Sequence, residues 1–119
     1  MKKLIFVAFV LLVIFACDEE NSPVKVQYRV SDAYAETHIS YQNESGSLES
    51  ETINFQSAED TWNYSFEAKH GDIVYISAQY ADTASSVNIS ILLDGKVYKE
   101  KYSESEPGKI ITVSGTIPF

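Results

Sequence analysis

From residue 24 onward the chain alternates apolar and polar residues with a period of two, the pattern of strands buried on one face. The clearest run places Val24, Val26, Tyr28 and Val30 in one phase, with polar residues between them. Similar runs follow at 35–41, more weakly at 48–55, and then at 62–66, 73–80, 87–93, 96–102 and 110–117. The pattern predicts seven or eight short strands and no helix in this part of the chain.

Turn-forming residues separate these runs. Asp94-Gly95 lies between two apolar runs and predicts a tight hairpin with a type I′ turn. The acidic stretch Ser103–Glu106 is interpreted as a solvated hairpin loop. Further turns are predicted at Ser31-Asp32, at 43–46, at 70–72 and at 106–108. Together the runs and turns predict an all-β fold, a two-layer antiparallel β-sandwich of immunoglobulin-like kind, with a small barrel as the alternative.

The amino terminus has the form of a bacterial lipoprotein signal. Lys2 and Lys3 precede an apolar run over residues 4–15, which is shorter than the roughly 20 residues that a membrane-spanning helix needs. The run ends at Ile14-Phe15-Ala16-Cys17, which resembles a lipobox. We therefore expect a signal peptide over 1–16, a lipidated Cys17, an acidic tether over 17–23 and the β-sandwich over 24–119. The alternative is an uncleaved anchor carrying an ordinary thiol.

Charge and cysteine content narrow the function classes. Residues 1–16 carry two of the nine basic residues and none of the 17 acidic ones, so the mature chain has 103 residues and a formal net charge of −10. This balance argues against nucleic acid as a partner, because phosphates require clustered Lys and Arg. Cys17 is the only cysteine, so a disulfide within the chain is excluded. The acidic residues 18–20 resemble a surface-export signal, and we expect attachment to the outer membrane, facing the cell surface. Inner-membrane retention, which Asp18 alone would favour, is the alternative.

Candidate catalytic and metal-binding residues are few. His38 falls on the polar side of its predicted strand and His70 in a turn, and neither belongs to a recognisable triad. The chain is therefore expected not to be an enzyme and to hold no cofactor or metal. A calcium site built from loop carboxylates such as Asp32 and Asp72 stays open as an alternative.

Six aromatic residues of the predicted strands and turns fall into two groups. Trp62, Tyr64 and Phe66 share the inward phase of their run, which predicts a place in the core. Tyr34, Tyr80 and Tyr102 fall near loops or off the inward phase and are the candidates for exposure. An exposed aromatic patch would indicate a carbohydrate or partner surface.

Several short motifs, among them Tyr28-Arg29-Val30, Ser77-Ala78-Gln79 and Asp94-Gly95, occur in an order and spacing that resemble the MmpS family of transport accessory proteins. The resemblance covers roughly residues 24–115, and its most specific pieces are Ser77-Ala78-Gln79 and the 94–97 Asp-Gly-Lys-Val hairpin. It is also carried by Tyr28-Arg29-Val30, Ile39-Ser40-Tyr41, Glu44-Ser45-Gly46, Trp62, Tyr75-Ile76, Ile91-Leu92-Leu93 and Ser114-Gly115. The resemblance implies an extracytoplasmic β-sandwich that assists large resistance-nodulation-division exporters. This chain has a lipobox where those proteins have a transmembrane helix, and it lacks their cysteine pair.

Two hypotheses for function follow. The first is an accessory or interaction module of an envelope transport complex, docking through loops or a strand edge. The second is a surface lipoprotein that captures an extracellular ligand such as a glycan. A scaffold without a dedicated ligand is a third alternative.

Overall fold

The computed structural model describes residues 22–119, which form eight antiparallel strands. Within this range no helix is long and apolar enough to cross a membrane. The strands are β1 (Val24–Ser31), β2 (Ala35–Gln42), β3 (Leu48–Phe55), β4 (Trp62–Ala68), β5 (Ile73–Tyr80), β6 (Ser86–Leu93), β7 (Lys96–Glu104) and β8 (Ile111–Thr116). The predicted runs therefore correspond to real strands.

The strands form two four-stranded sheets packed as a sandwich, as the alternation predicted. Sheet A has the order β4-β1-β6-β7, and sheet B has the order β3-β2-β5-β8. Only β2–β3 and β6–β7 are hairpins within one sheet, and every other connection crosses between sheets. Each strand therefore buries one face against the other sheet and leaves the alternate residues outside.

The hairpin predicted at Asp94-Gly95 is confirmed. Leu93 pairs with Lys96 across a two-residue turn, and both turn residues have positive φ, 50° for Asp94 and 83° for Gly95. Positive φ at both positions is what a type I′ turn requires. The Asp94 carboxylate also accepts a hydrogen bond from the Lys25 backbone N–H at 3.0 Å, which fixes the turn to the start of β1.

Two interpretations of the sequence were wrong. Residues 103–106 do not form a hairpin loop, because β7 runs to Glu104 and β8 lies in the other sheet. Ser103 is buried on the inner side of β7. Tyr80 is also buried, because β5 turns its even-numbered residues inward. The Tyr80 hydroxyl accepts a hydrogen bond from the Glu106 backbone N–H at 2.9 Å and so holds the loop that connects β7 to β8.

The sandwich is closed along the side formed by β7 and β8. The register of β6 and β7 shifts at a β-bulge that makes Tyr98 the extra residue, so Tyr98 and Lys99 both reach toward sheet B. The Tyr98 hydroxyl donates to the Thr116 carbonyl at 2.9 Å, and Lys99 Nζ donates to the Ser114 carbonyl at 3.0 Å. Gly115 leaves space for this contact, since a Cβ there would lie 2.8 Å from Tyr98 Oη.

Tyr28 joins the two sheets through the centre of the core. Its side chain is fully buried in sheet A, and its hydroxyl donates to the Gln42 carbonyl of β2 at 2.7 Å. The same oxygen accepts from the Tyr75 N–H of β5 at 3.3 Å. Burial raises the pKa of Tyr28 to about 12, because the phenolate would lose its hydration.

Replacing Tyr28 by Phe should lower the free energy of unfolding by about 1–2 kcal/mol at pH 7, because two backbone groups lose their partner. The neutral phenol contributes stability that is fully present below its unfolded pKa of about 10 and is lost as pH rises through its folded pKa. Urea unfolding from pH 7 to 11.5 should therefore show a steeper alkaline loss for the wild type than for the variant. Parallel pH curves would contradict this account of Tyr28.

Replacing Thr37 by Val should increase stability by about 1 kcal/mol. Thr37 is fully buried on β2, and its hydroxyl has no hydrogen-bond partner among the described residues. Valine keeps the shape and removes the desolvation cost of that hydroxyl. Urea denaturation of the two proteins measures the difference, with Thr112→Val, at an exposed position of β8, as the control. A destabilised Thr37→Val variant would show that the hydroxyl has a partner.

Candidate interaction site on the open side of the sandwich

The two sheets are closest at one side and diverge toward the other. Backbones of opposite sheets approach closely where β5 packs on β6 and where β8 packs on β6 and β7. No comparable approach joins β3 to β4, the edge strands of the opposite side. We call this the open side, and large side chains fill the wider space there.

An aromatic cluster occupies the open side. Rings from both sheets meet, with centroid distances of 4.7 Å between Tyr41 and Tyr64 and 5.1 Å between Tyr41 and Trp62. Most neighbouring pairs are tilted, a favourable arrangement for aromatic rings. The cluster consists of Tyr28, Tyr41, Trp62, Tyr64 and Phe66. The last three, all on β4, pack against the edge of the core and remain partly exposed. The prediction that they lie in the core is therefore confirmed only in part.

Three of the four edge strands are protected against pairing with another strand. On β3, Glu49 and Glu51 are directly opposite Tyr41 and Ile39, so both carboxylates share the inward face although they are exposed. Lys99 and Lys101 of β7 do the same opposite Ile91 and Ile89. Inward-facing charges of this kind discourage strand addition. On β8, two backbone carbonyls already accept hydrogen bonds from Tyr98 and Lys99 of β7.

Edge strand β4 has no such protection. Its inward face carries the three partly exposed aromatic residues, followed by Ala68. Its outward face carries Asn63, Ser65 and Glu67, which are exposed. Because β4 pairs only with β1, its other edge presents a row of backbone groups without a strand partner. This edge is therefore the place in the described chain where an extended segment can add to a sheet.

Carboxylates face the aromatic cluster from β3 and the β2–β3 turn. The Tyr41 hydroxyl donates to Glu51 Oε2 at 3.0 Å. Burial, and then the hydrogen bonds to Glu51 and Glu49, raise the pKa of Tyr41 well above its usual value. The pKa of Tyr64 is also raised, by burial and by the negative charges of Glu49 and Glu44. The strands of sheet B contain no Lys or Arg, so these charges have no basic residue within their own sheet.

A depression of about 360 Å³ continues the open side at the end of the sandwich where β1 begins. Phe66, Ala68 and Ile73 form its apolar part, and amide and carboxylate groups come from Gln42, Asn43, Glu44 and Asp72. The Asn43 side chain is already used within its turn, where it accepts from the backbone N–H groups of Ser45 and Ser47. The depression thus combines a ring with a few polar side chains.

The residues singled out for chemistry lie apart from one another. His38 is on the outer face of sheet B, 3.1 Å from Thr52 Oγ1, and His70 donates to the Pro118 carbonyl at 2.6 Å. Asp32 and Asp72 lie beyond opposite ends of β2. Residues 22–119 contain no group of three His, Cys, Asp or Glu side chains able to hold a metal ion. Cys17, the predicted lipidation site, lies outside the described residues.

Tyr34 and Tyr102 are exposed, at 49 % and 52 %. In the described part of the chain no ring contact joins them, so they do not form an aromatic patch. The residues that sequence reasoning missed are Glu49 and Glu51. The available signal was their position in phase with Ile53 and Phe55, which marks them as charges on an inward face.

No protein-family model matches the chain, and a search of curated proteins finds no significantly similar sequence.

Replacing both Glu49 and Glu51 by Gln should lower the pKa of Tyr41, because the neutral phenol loses a charged acceptor and two neighbouring negative charges. NMR titration of ring-labelled tyrosine measures the shift. Glu36→Gln, at an exposed position on the outer face of β2, should leave the pKa of Tyr41 unchanged. An unchanged Tyr41 in the double variant would show that the carboxylates do not act on the aromatic cluster.

Proposed function

We propose that this protein is a lipid-anchored, non-enzymatic interaction module of the cell envelope, in which the sandwich docks on an envelope transporter or another envelope protein. The unprotected edge of β4 beside the partly exposed aromatic cluster carries the proposal. Strand addition uses backbone hydrogen bonds for affinity and side-chain contacts on alternate residues for specificity. The open side offers both.

The acidic balance and the arrangement of the histidines agree with this role. Within residues 22–119, His38 bonds to Thr52 and His70 to the Pro118 carbonyl, and no carboxylate in this range orients either ring for general base catalysis. The resemblance to the MmpS family suggests an exporter as the partner. The lipobox in place of a transmembrane helix means that docking would depend on the sandwich rather than on helix contacts within the membrane.

Cys17 should carry the anchor. Metabolic labelling with a palmitate analogue is expected to mark the wild type and not Cys17→Ser, and mass spectrometry should find an amino-terminal peptide that begins with a diacylated Cys17. Two or three acyl chains hold a protein on a bilayer durably, so the serine variant should leave the membrane fraction or remain as an uncleaved precursor. An unlabelled, uncleaved wild type would overturn the lipoprotein assignment.

Crosslinking tests the docking surface. A photo-crosslinking amino acid at Ser65, on the exposed face of β4, should capture one envelope protein in intact cells, whereas the same group at Thr112 of β8 should not. Recovery of an exporter subunit would support the accessory role. Equal labelling from both positions, or none from Ser65, would contradict docking at the open side.

Glycan capture is the second candidate, favoured by the depression beside Phe66. Sugars bind to aromatic faces together with amide and carboxylate groups, and Gln42 and Asp72 supply such groups there. Binding of neutral oligosaccharides, lost in Phe66→Ala and retained in Ser65→Ala, would favour this function over docking.

A further inference from the structure

We propose that the occupant of the open side is an extended segment of a partner protein with Lys or Arg at alternate positions, which adds to β4 as a fifth strand of sheet A. The inference rests on the proposed interaction function and specifies the chemistry of its partner. It follows from the relation between the β4 edge, the aromatic cluster and the carboxylates of β3.

Geometry fixes where the side chains of an added strand would lie. Because successive residues of a strand point to opposite faces, every second side chain would enter the space between the sheets. There it would lie beside Trp62, Tyr64 or Phe66 on β4. The remaining side chains would continue the exposed row of Asn63, Ser65 and Glu67. The inward positions therefore decide which sequences fit.

Charge determines the chemistry of those inward positions. Glu49 and Glu51 face the same space from β3, and Glu44 acts on Tyr64 from the adjoining turn. Residues two apart on one strand are separated by about 6.8 Å, so basic residues at alternate positions match the spacing of Glu49 and Glu51. Long Lys and Arg side chains can also pack their apolar stems and cationic heads against aromatic rings.

Within the described residues, neither Glu49 nor Glu51 forms an ion pair with a Lys or Arg side chain. The ion pair found between residues 22 and 119 joins Lys109 to Glu106, on the loop between β7 and β8. Of the basic residues on strands, all lie in sheet A, on β1 and β7. The β7 strand forms the opposite side of the sandwich. A basic segment from outside would therefore supply the missing charge.

A second copy of this chain is the competing occupant, because Lys99 and Lys101 on β7 also alternate. In the free chain, however, Lys99 is held against the Ser114 carbonyl at 3.0 Å, and the bulge at Tyr98 interrupts the regular edge. The net charge of −10 on each mature chain also opposes self-association. These observations favour a different, basic partner.

Trp62 provides the readout, because it is the only tryptophan of the chain and belongs to the aromatic cluster. The purified mature lipoprotein in nonionic detergent would be titrated with a synthetic peptide that has lysine at every second position and threonine or valine between. A second peptide of the same composition, with its lysines gathered at one end, tests alternation. We expect saturable fluorescence change with the alternating peptide and slower hydrogen exchange of the β4 amides.

Matched variants test the role of charge. Glu49→Gln with Glu51→Gln should weaken binding of the alternating peptide by about threefold to tenfold, the range for two partly screened ion pairs. Glu36→Gln with Glu104→Gln makes the same change in net charge on outward faces and should leave the affinity within about twofold. Both pairs replace exposed side chains, so the fold is expected to persist.

Several results would overturn the inference. These are no binding of the alternating peptide, equal binding of the clustered peptide without protection of β4, or equal weakening by the two variant pairs. Self-association of the protein alone, abolished by Lys99→Gln with Lys101→Gln, would assign the site to a second copy. If the peptide fails while Ser65 still crosslinks an envelope protein, the interaction function stands and only the partner chemistry is wrong. If both fail, both proposals fall.

Discussion

An open β-sandwich must deal with the unpaired backbone groups at the four edges of its two sheets, and this constraint organises the molecule. Opposite charges protect opposite edges, with carboxylates directed inward on β3 and ammonium groups directed inward on β7. Side chains from the β-bulge cover two carbonyls of β8. Among the strands of residues 22–119, only β4 combines an unprotected edge with an apolar inward face. Three edges are thus protected against strand addition and one is available for it.

The shape of the core explains why the available edge lies where it does. On the closed side, Gly115 allows Tyr98 to approach the backbone of β8, and the sheets come together. On the open side the rings of five aromatic residues lie between the sheets, and rings of this size hold the edge strands apart. Tyr28 fixes the separation from the middle, since its hydroxyl bonds to β2 and β5 at once. Core packing and accessibility of β4 are thus consequences of the same residues.

Period-two alternation was sufficient to predict the strands, and Asp94-Gly95 was sufficient to predict its hairpin, because both signals are local. The order of strands in each sheet is not local, and the misreading of residues 103–106 shows the effect: a turn between consecutive strands has the same residue types whether it closes a hairpin or crosses between sheets. The open side could not be predicted from the sequence for a related reason. Glu49 and Glu51 weaken the apolar alternation of β3, and only the pairing with Tyr41 and Ile39 shows that they face inward.

If Cys17 is lipidated, the tether also limits which partners the open side can meet. Seven residues, 17–23, span at most about 25 Å when fully extended, so the start of β1 would stay close to the bilayer. Val24 pairs with Ala68, so the turn after β4 and the depression beside Phe66 lie at the same end of the sandwich as the start of β1 and would be near the bilayer with it. The edge of β4 would then run outward from that end. A segment of a protein in or beside the same membrane would then reach this edge without crossing a long gap, as the proposed envelope complex requires.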